Sequence, residues 1–507
     1  MRSPKLNRKR EHRGAIFPRD GTKNSSTPSV FGSSDTDPYE VDSLPGIDFD
    51  FGELYSGTIP IDSNDTSRSL FFFFAPKLGE PSKDITIWLN GGPGCSSLEG
   101  FLQENGPFIW TWGQYNGLPN PYSWQNLTNM LWVEFPVGTG FSTGAVTATS
   151  EEEVAQDFVG FFKNFQDIFG IEDYKVYVTG ESYAGRYVPY VSDAILKQND
   201  TKNFDLGGAL MYDPVIGKYD YIGDTMTAVP YVEKYTELFN LNATVMESLQ
   251  KAHKDCGYED YISKYLTFPA SGVQPVLNGS YNQMSKECDV WDIAHDAVFQ
   301  GNPCFNVYQI SLTCPLLFDP LSFPTDLIYN YPDFDGPYFN RSEVKDAIHA
   351  PQEVNWAECS GPVFNGTDPG PYGNYDLSLD PIQSVLPQVI EATNRVLIAN
   401  GDWDYEIISN GTLLSIQNMT WNGKLGFDEA PNKDVVIQLP DLQWEAVFDE
   451  NGFGGLDGPG QGVMGTQHYE RGLMWATTRQ SGHMQPQFQP RVAYRHLQWV
   501  LGQIDTL

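Results

Sequence analysis

The chain has 507 residues, 40% hydrophobic and 14% aromatic, which is enough for one large core with an insertion or for two domains, and which is neither fibrous nor broadly disordered. A formal net charge of -34 argues against nucleic acid and anionic membranes as partners, because both would be repelled over most of the surface. An acidic working environment softens that self-repulsion.

Residues 1–40 are charged and rich in Ser, Thr, Pro and Asp, with little apolar periodicity, and read as a mobile or processed N-terminal tail. Their start, MRSPKLNRKREHRGAIF, is basic like a signal n-region but has no apolar h-region behind it, so no signal peptide is evident. Structure is expected from about Tyr39. RSLFFFFAP (68–76), DITIWLNGGPG (84–94) and NMLWVEFPVGTG (129–140) are short apolar runs ended by Gly/Pro punctuation, as strands are. Between 151 and 169 an acidic first turn precedes Val154, Phe158, Phe161, Phe162 and Phe165, a helical period. The strand KVYVTG follows, then a serine, then a second helical stretch through YVPYVSDAILKQ. Strand, helix, strand, tight turn and helix make an α/β fold with a mostly parallel central sheet.

From 218 to 350 the pattern changes to shorter, Tyr-rich helical pieces that hold Cys256, Cys288, Cys304 and Cys314, and this stretch reads as an insertion. Strand-like sequence returns at NRVLIANGD (394–402), and RVAYRHLQWVLG (491–502) is expected to be a closing helix. The core is therefore divided into 41–217 and 351–507. No apolar run reaches the roughly 18 residues that a membrane span requires. Six cysteines at wide spacing, with no CxxC pair, suit disulfides better than a metal, and no metal or other cofactor is expected. Sequons begin at Asn24, Asn64, Asn126, Asn199, Asn242, Asn278, Asn340, Asn365, Asn410 and Asn418, a density that fits a protein carrying N-linked glycans.

The segment TGESYAGRYVP (179–189) fits a nucleophile elbow, in which small residues let a strained serine project from a strand-to-helix turn. Gly180 and Ala184 flank Ser182 at the required positions. In this architecture the acid and the base follow the serine in chain order. ANGDWDY offers Asp402 and Asp404 in a loop after a strand, and spacing alone does not separate them. TRQSGHMQPQFQP offers His483 in a Gly/Pro-bounded loop; His496 falls in a helix, and His253, His295 and His349 precede the aspartates. WLNGGPGCSS (88–97) ends a strand in two glycines, which expose backbone N–H groups for an oxyanion hole. Gly92 and Tyr183, the latter next after the serine, are the expected donors. Cys95 has no base motif beside it and reads as a disulfide partner.

Taken in order, WLNGGPGCSSLEG, NPYSWQNLTNMLWVEFPVGTGFS, GESYAGRYVP, NGDWDY and SGHMQP resemble the serine carboxypeptidase family of α/β-hydrolases, over about residues 45–505. The later blocks look closest to secreted fungal members. The resemblance implies an α/β-hydrolase fold with helices on both faces of the sheet and a largely helical cap over 218–350. It implies an enzyme that removes single residues from the C-termini of peptides and proteins at acidic pH, through an acyl-enzyme, in a secreted or vacuolar setting. Ser182 becomes the nucleophile, His483 the base and Asp404, the second aspartate of its block, the acid. Asn90, Gly91, Glu104 and Glu181 match the family's receptor for the substrate's free carboxylate, where glutamates that share protons donate to it rather than repel it. The same resemblance joins Cys95 to Cys359. For the other four cysteines a nested arrangement, Cys256 with Cys314 and Cys288 with Cys304, is the expectation. Two departures fall near the pocket and the cap: Phe135 stands where the family usually has Gln, and LMYDPVIG lacks the usual Gly-Asn-Gly. An acyltransferase or lyase on the same scaffold is disfavoured by the complete receptor, and a non-catalytic binding protein by the intact Ser182, Asp404 and His483.

Overall fold

The computed structural model describes residues 29–218, 225–276, 285–322, 336–368, 374–438 and 460–507. Its centre is a ten-stranded mixed sheet. In chain order the strands are β1 (Tyr55–Asp62), β2 (Asp65–Ala75), β3 (Asp84–Leu89), β4 (Asn129–Val133), β5 (Lys175–Glu181), β6 (Asp205–Tyr212), β7 (Val396–Gly401), β8 (Lys433–Ile437), β9 (Gly462–Glu470) and β10 (Leu473–Thr478). Across the sheet they run β1-β2-β4-β3-β5-β6-β7-β10-β9-β8. The stretch from β4 to β10 is parallel throughout, and both flanks are antiparallel.

The four consecutive phenylalanines of β2 show why both faces must be covered. All are buried, and alternation sends Phe72 and Phe74 to one face and Phe71 and Phe73 to the other. Helix α1 (Glu151–Phe169) covers the first face through Phe158, Phe161, Phe162 and Phe165, and α2 (Ala184–Lys197) lies beside it. The closing helix, Pro490–Val500, covers the second face with Val492, Leu497 and Val500. Each fully buried apolar side chain of this kind contributes about 1.5–3 kcal/mol, so the sandwich is held mainly by these layers.

The tail expectation is corrected for its second part, since residues 29–40 pack on the core. Backbone N–H groups of Val30 and Phe31 donate to the Glu53 carboxylate, Phe31 meets Phe74 edge-on at 5.1 Å, and Thr36 is buried. Residues 1–28 lie outside the described residues, as do the sequons at Asn24 and Asn278.

In the predicted insertion, helices Ala228–Lys234, Ala243–Asp255, Tyr258–Tyr265 and Val290–Gly301 build an apolar cluster of their own, which reaches Tyr405, Ile408 and Leu414. Tyr338, Phe339, Val344 and Ile348 pack instead with the second-face cluster of the sheet. The nested disulfide expectation is wrong: the bonds are Cys256–Cys288 and Cys304–Cys314. Cys256 caps the helix that ends at Asp255, and Cys288 lies just ahead of the helix that starts at Val290, so those two packed helices bring them together. Asn302 donates to the Leu312 carbonyl and folds the following loop back, which sets Cys304 against Cys314. Local closure wins over the longer nested loops.

Candidate active site

At the C-terminal end of the parallel strands, β5 turns into α2 through Ser182, whose φ is +61. A non-glycine residue in the left-handed region is held there by its surroundings. Ser182 N donates to the Tyr212 carbonyl at 2.9 Å, and Val215 N and Gly185 N donate back to the Ser182 carbonyl. Gly180 must lack a side chain, because a Cβ would lie 2.3 Å from the Leu89 carbonyl and 2.7 Å from Ala184 Cβ.

The strand-end loop after β3 touches the elbow directly. A Cβ on Gly91 would fall 2.5 Å from Tyr183 N and 2.7 Å from Ser182 Cβ, so the Gly91–Gly92 backbone runs against the two residues of the turn. That is the approach a pair of backbone donors at Gly92 and Tyr183 requires.

Between the two aspartates offered by the sequence, the structure discriminates. His483 Nδ1 donates to Asp404 Oδ2 at 2.7 Å, and both side chains are buried. Asp404 Oδ1 accepts from the backbone N–H groups of Glu406 (2.9 Å) and Ile407 (3.3 Å). Asp402 turns its carboxylate toward Lys234, 3.8 Å away, and takes no part in the pair. The His483 backbone N–H donates to the Tyr308 carbonyl at 2.8 Å, and the Tyr308 ring lies against the imidazole. His483 Nε2 is buried and has no partner among the described residues. Burial lowers the His483 pKa, while the Asp213 and Glu406 charges push it up.

Beside the serine, Glu181, Glu104 and Asn90 form one buried cluster. Asn90 Oδ1 accepts from Trp88 Nε1 (2.7 Å) and Gly100 N (3.3 Å), which fixes the amide so that Nδ2 points at the acids. Nδ2 donates to Glu181 Oε1 at 2.8 Å and reaches Glu104 Oε1 and Glu99 Oε2 at 3.4 Å. Glu104 and Glu181 thus share the Asn90 Nδ2 donor, which holds the two buried carboxyls side by side, and Oε2 of each has no hydrogen-bond partner among the described residues. Two neighbouring carboxyls out of water resist ionising together, which favours a proton on the pair. Burial raises both groups, Glu104 to about 8, and the charge of Glu104 raises Glu181 further. Among the described residues there is no cluster of side chains suited to a metal ion.

A family model described as Serine carboxypeptidase matches residues 45–503. The chain belongs to the serine carboxypeptidase family. It is accordingly a serine-type carboxypeptidase, a hydrolase acting on peptides. Serine-type carboxypeptidase F of Aspergillus niger is 60% identical over 478 residues, 94% of this chain and 89% of that protein. A carboxypeptidase Y homolog of Arthroderma benhamiae is 38% identical over 92% of this chain and 87% of that one. The crystal structure of Kex1, a prohormone-processing carboxypeptidase of Saccharomyces cerevisiae, superposes with a TM-score of 0.69 over 92% of this chain and 96% of that one; at 23% identity it bears on the α/β-hydrolase fold.

Cys95 and Cys359 of this carboxypeptidase are bonded, and the strands around them pair through Ser96 N to Glu358 O and Ser360 N to Gly94 O. The departure at Phe135 lies in the core, not in the cleft: its ring meets Tyr187 at 4.9 Å and Phe158 at 5.8 Å, both edge-on. Sequence reasoning missed three groups. Glu99 joins the Asn90 cluster as a third buried acid, and its one signal was its place inside the WLNGGPGCSSLEG block. Arg186 is buried on α2, where it pairs with Asp376 (2.9 Å) and Asp380 (3.2 Å), and the Tyr183 hydroxyl donates to the same Asp376. Asp213 lies where the chain departs from Gly-Asn-Gly, is buried, and accepts from Gly401 N and Gln485 Nε2, each at 2.7 Å, on the segments that carry Asp404 and His483. Among the described residues no helix is long and apolar enough to cross a membrane.

Proposed function

We propose that this carboxypeptidase works through an acyl-enzyme on Ser182. His483 Nε2 takes the hydroxyl proton as Ser182 Oγ attacks the scissile carbonyl carbon, and the backbone N–H groups of Gly92 and Tyr183 receive the negative oxygen. As the C–N bond breaks, His483 returns the proton to the departing amine, and the C-terminal amino acid leaves. Water then attacks the acyl group by the same route. Asp404 holds Nδ1–H and stays ionised. Asn90, Gly91, Glu104 and Glu181 take the substrate's terminal carboxylate, and Glu99 supports Asn90.

The observation that carries this reading is the buried pair Glu104 and Glu181, joined through Asn90 Nδ2 and set one residue before Ser182. A protonated pair donates to a carboxylate, whereas an ionised pair repels it. Peptides and proteins with a free C-terminus are thus the substrates, and acidic pH is the working range. A secreted or vacuolar setting agrees with three disulfides and with exposed sequons at Asn64, Asn199, Asn242, Asn365 and Asn410. Residues 218–350 serve as the cap in this reading, with its helical cluster resting on Tyr405 beside Asp404. The test is release of a free amino acid from an N-blocked dipeptide at acidic pH. Wild type should release it and Ser182→Ala should not, while the variant folds normally; near-wild-type release by the variant would remove Ser182 from the mechanism.

A further inference from the structure

We propose, on the triad reading above, that Tyr308 is a positioning residue of the active site: from a short disulfide-closed loop, its carbonyl and its ring hold His483 in register with Asp404. The two loops that carry the pair meet each other, since Trp403 N donates to the Ser481 carbonyl at 2.8 Å. Both also meet residues 307–310. Tyr405 N donates to the Val307 carbonyl at 2.8 Å, Ile310 N donates to the Trp403 carbonyl at 3.1 Å, and His483 N donates to the Tyr308 carbonyl at 2.8 Å. Asp404 is flanked by two of these bonds, and His483 carries the third. The approach beside His483 is close: a Cβ on Gly482 would lie 1.8 Å from the Tyr308 carbonyl oxygen and 2.4 Å from Gln309 Oε1. The Tyr308 ring then sits 5.1 Å from the imidazole, centroid to centroid, with the two planes at 53°.

The imidazole has one hydrogen bond, from Nδ1 to Asp404, and none at Nε2 among the described residues. A single bond of that kind is a hinge, because the ring torsion of histidine has a broad minimum. Nε2, on the far side of the ring, moves most when the ring swings, and Nε2 is the atom that must face Ser182 Oγ. A ring packed against the imidazole, on a residue that also fixes the His483 backbone, removes that freedom. The loop that brings Tyr308 is itself held. Cys304–Cys314 closes it, the Asn302 side chain donates to the Leu312 carbonyl at 2.9 Å and accepts from Cys304 N at 3.2 Å, and Asn306 Oδ1 accepts from Tyr308 N at 2.8 Å. Phe305 and Ile310 are buried in the same apolar cluster as Tyr405. Tyr308 is therefore set by contacts that neither catalytic loop supplies, as a positioning group has to be.

The experiment measures the rate at which a small organophosphate labels Ser182, alongside steady-state kinetics, in Tyr308→Leu and Tyr308→Phe. Such a reagent has no C-terminal residue, so its rate reads the serine, the base and the oxyanion donors without the carboxylate receptor. Tyr308→Leu should lower labelling and kcat together by about 10–100-fold and leave KM for a free-acid peptide nearly unchanged, because a displaced Nε2 harms proton transfer and not binding. Tyr308→Phe keeps the ring and should restore both rates to within about three-fold of wild type. Wild-type labelling in Tyr308→Leu, with only KM or the preferred C-terminal residue altered, would make Tyr308 a wall of the substrate pocket and overturn the proposal. A loss in Tyr308→Phe as large as in Tyr308→Leu would assign the effect to the hydroxyl and overturn it too. Should Tyr308→Leu not fold by circular dichroism, a pair of double variants decides. Cys304→Ser with Cys314→Ser should lower labelling about ten-fold, whereas Cys256→Ser with Cys288→Ser, which opens a different loop, should keep it within about three-fold of wild type. Equal labelling rates in these two double variants would overturn the proposal. A wild type that is not labelled at Ser182 at all would overturn the triad reading, and the proposal with it.

Discussion

Asp404 and Asp402 are two residues apart on one loop, yet only Asp404 reaches the imidazole; Asp402 is drawn to Lys234 on a neighbouring helix. Asp404→Asn replaces the acceptor that fixes Nδ1–H and favours the wrong His483 tautomer, so kcat should fall by about 10⁴. Asp402→Asn should change kcat only a few-fold, because its carboxylate does not touch the pair. Steady-state kinetics of both variants, with circular dichroism and thermal unfolding as the control for folding, checks the ranking, and the reverse order would move the acid to Asp402. Spacing in ANGDWDY could not make this choice, since it depends on which way each side chain leaves the loop. Ser182 was legible because the elbow needs small residues at fixed positions around it. The buried place of Asp213 was not, since its bonds to Gly401 and Gln485 join segments far apart in the chain.

At the scale of elements, β2 was readable as a strand but not as the centre of two layers, because a run of four phenylalanines looks the same whether it is buried on one face or both. The four cysteines between 256 and 314 failed for a related reason: the pairing is decided by how two helices pack, which no spacing records. Peptide mapping without reduction should recover Cys256–Cys288 and Cys304–Cys314, and a peptide joining Cys256 to Cys314 would contradict the packing described. Cys95–Cys359 closes a far longer loop, with a sequence separation of 264. Its removal by Cys95→Ser with Cys359→Ser should cost about 5 kcal/mol in the chain-entropy model, read by denaturant unfolding. Helix α2 is anchored by Arg186, which faces Asp376, Asp380 and the buried Glu151. Arg186→Met leaves those acids without their cation, and a loss of about 3–5 kcal/mol is expected from the same measurement. Sequons sort by a similar argument. Asn340 has both amide atoms engaged with Trp356 backbone, so glycan mapping should find it bare while exposed Asn64, Asn199 and Asn365 are modified.

For the whole molecule, the fold class was legible from the order of strand and helix signals, and the charge from simple counting; what acid conditions do to the protein follows from where its carboxyls lie. Glu99, Glu104, Glu181, Glu134, Glu151 and Asp213 are buried and their carboxyls are raised above the usual range, chiefly by loss of water. Above the ordinary carboxylate range the folded chain holds more protons than the unfolded one, so stability is full near that range and declines as pH rises toward the raised values, about 7 for Glu134 and about 8 for Glu104. Tm should therefore be higher near pH 5 than near pH 8, and calorimetry at both checks the sign. Function runs the same way. In the proposed reading the Glu104–Glu181 pair binds a substrate carboxylate while it keeps a proton and loses that ability as pH climbs through its raised values, whereas His483, its pKa lowered by burial, keeps its free-base form to lower pH than an ordinary histidine. The decisive measurement is KM against pH for matched peptides ending in a free acid and in an amide, with wild type, Glu104→Gln and Glu181→Gln. For free-acid peptides KM should climb on the alkaline side before kcat falls, for amides it should stay nearly flat, and either Gln variant should flatten the climb, each charge-assisted hydrogen bond lost there being worth about 1.5–3 kcal/mol. Identical pH dependence for acid and amide peptides in wild type would contradict a proton-sharing carboxylate receptor beside Ser182.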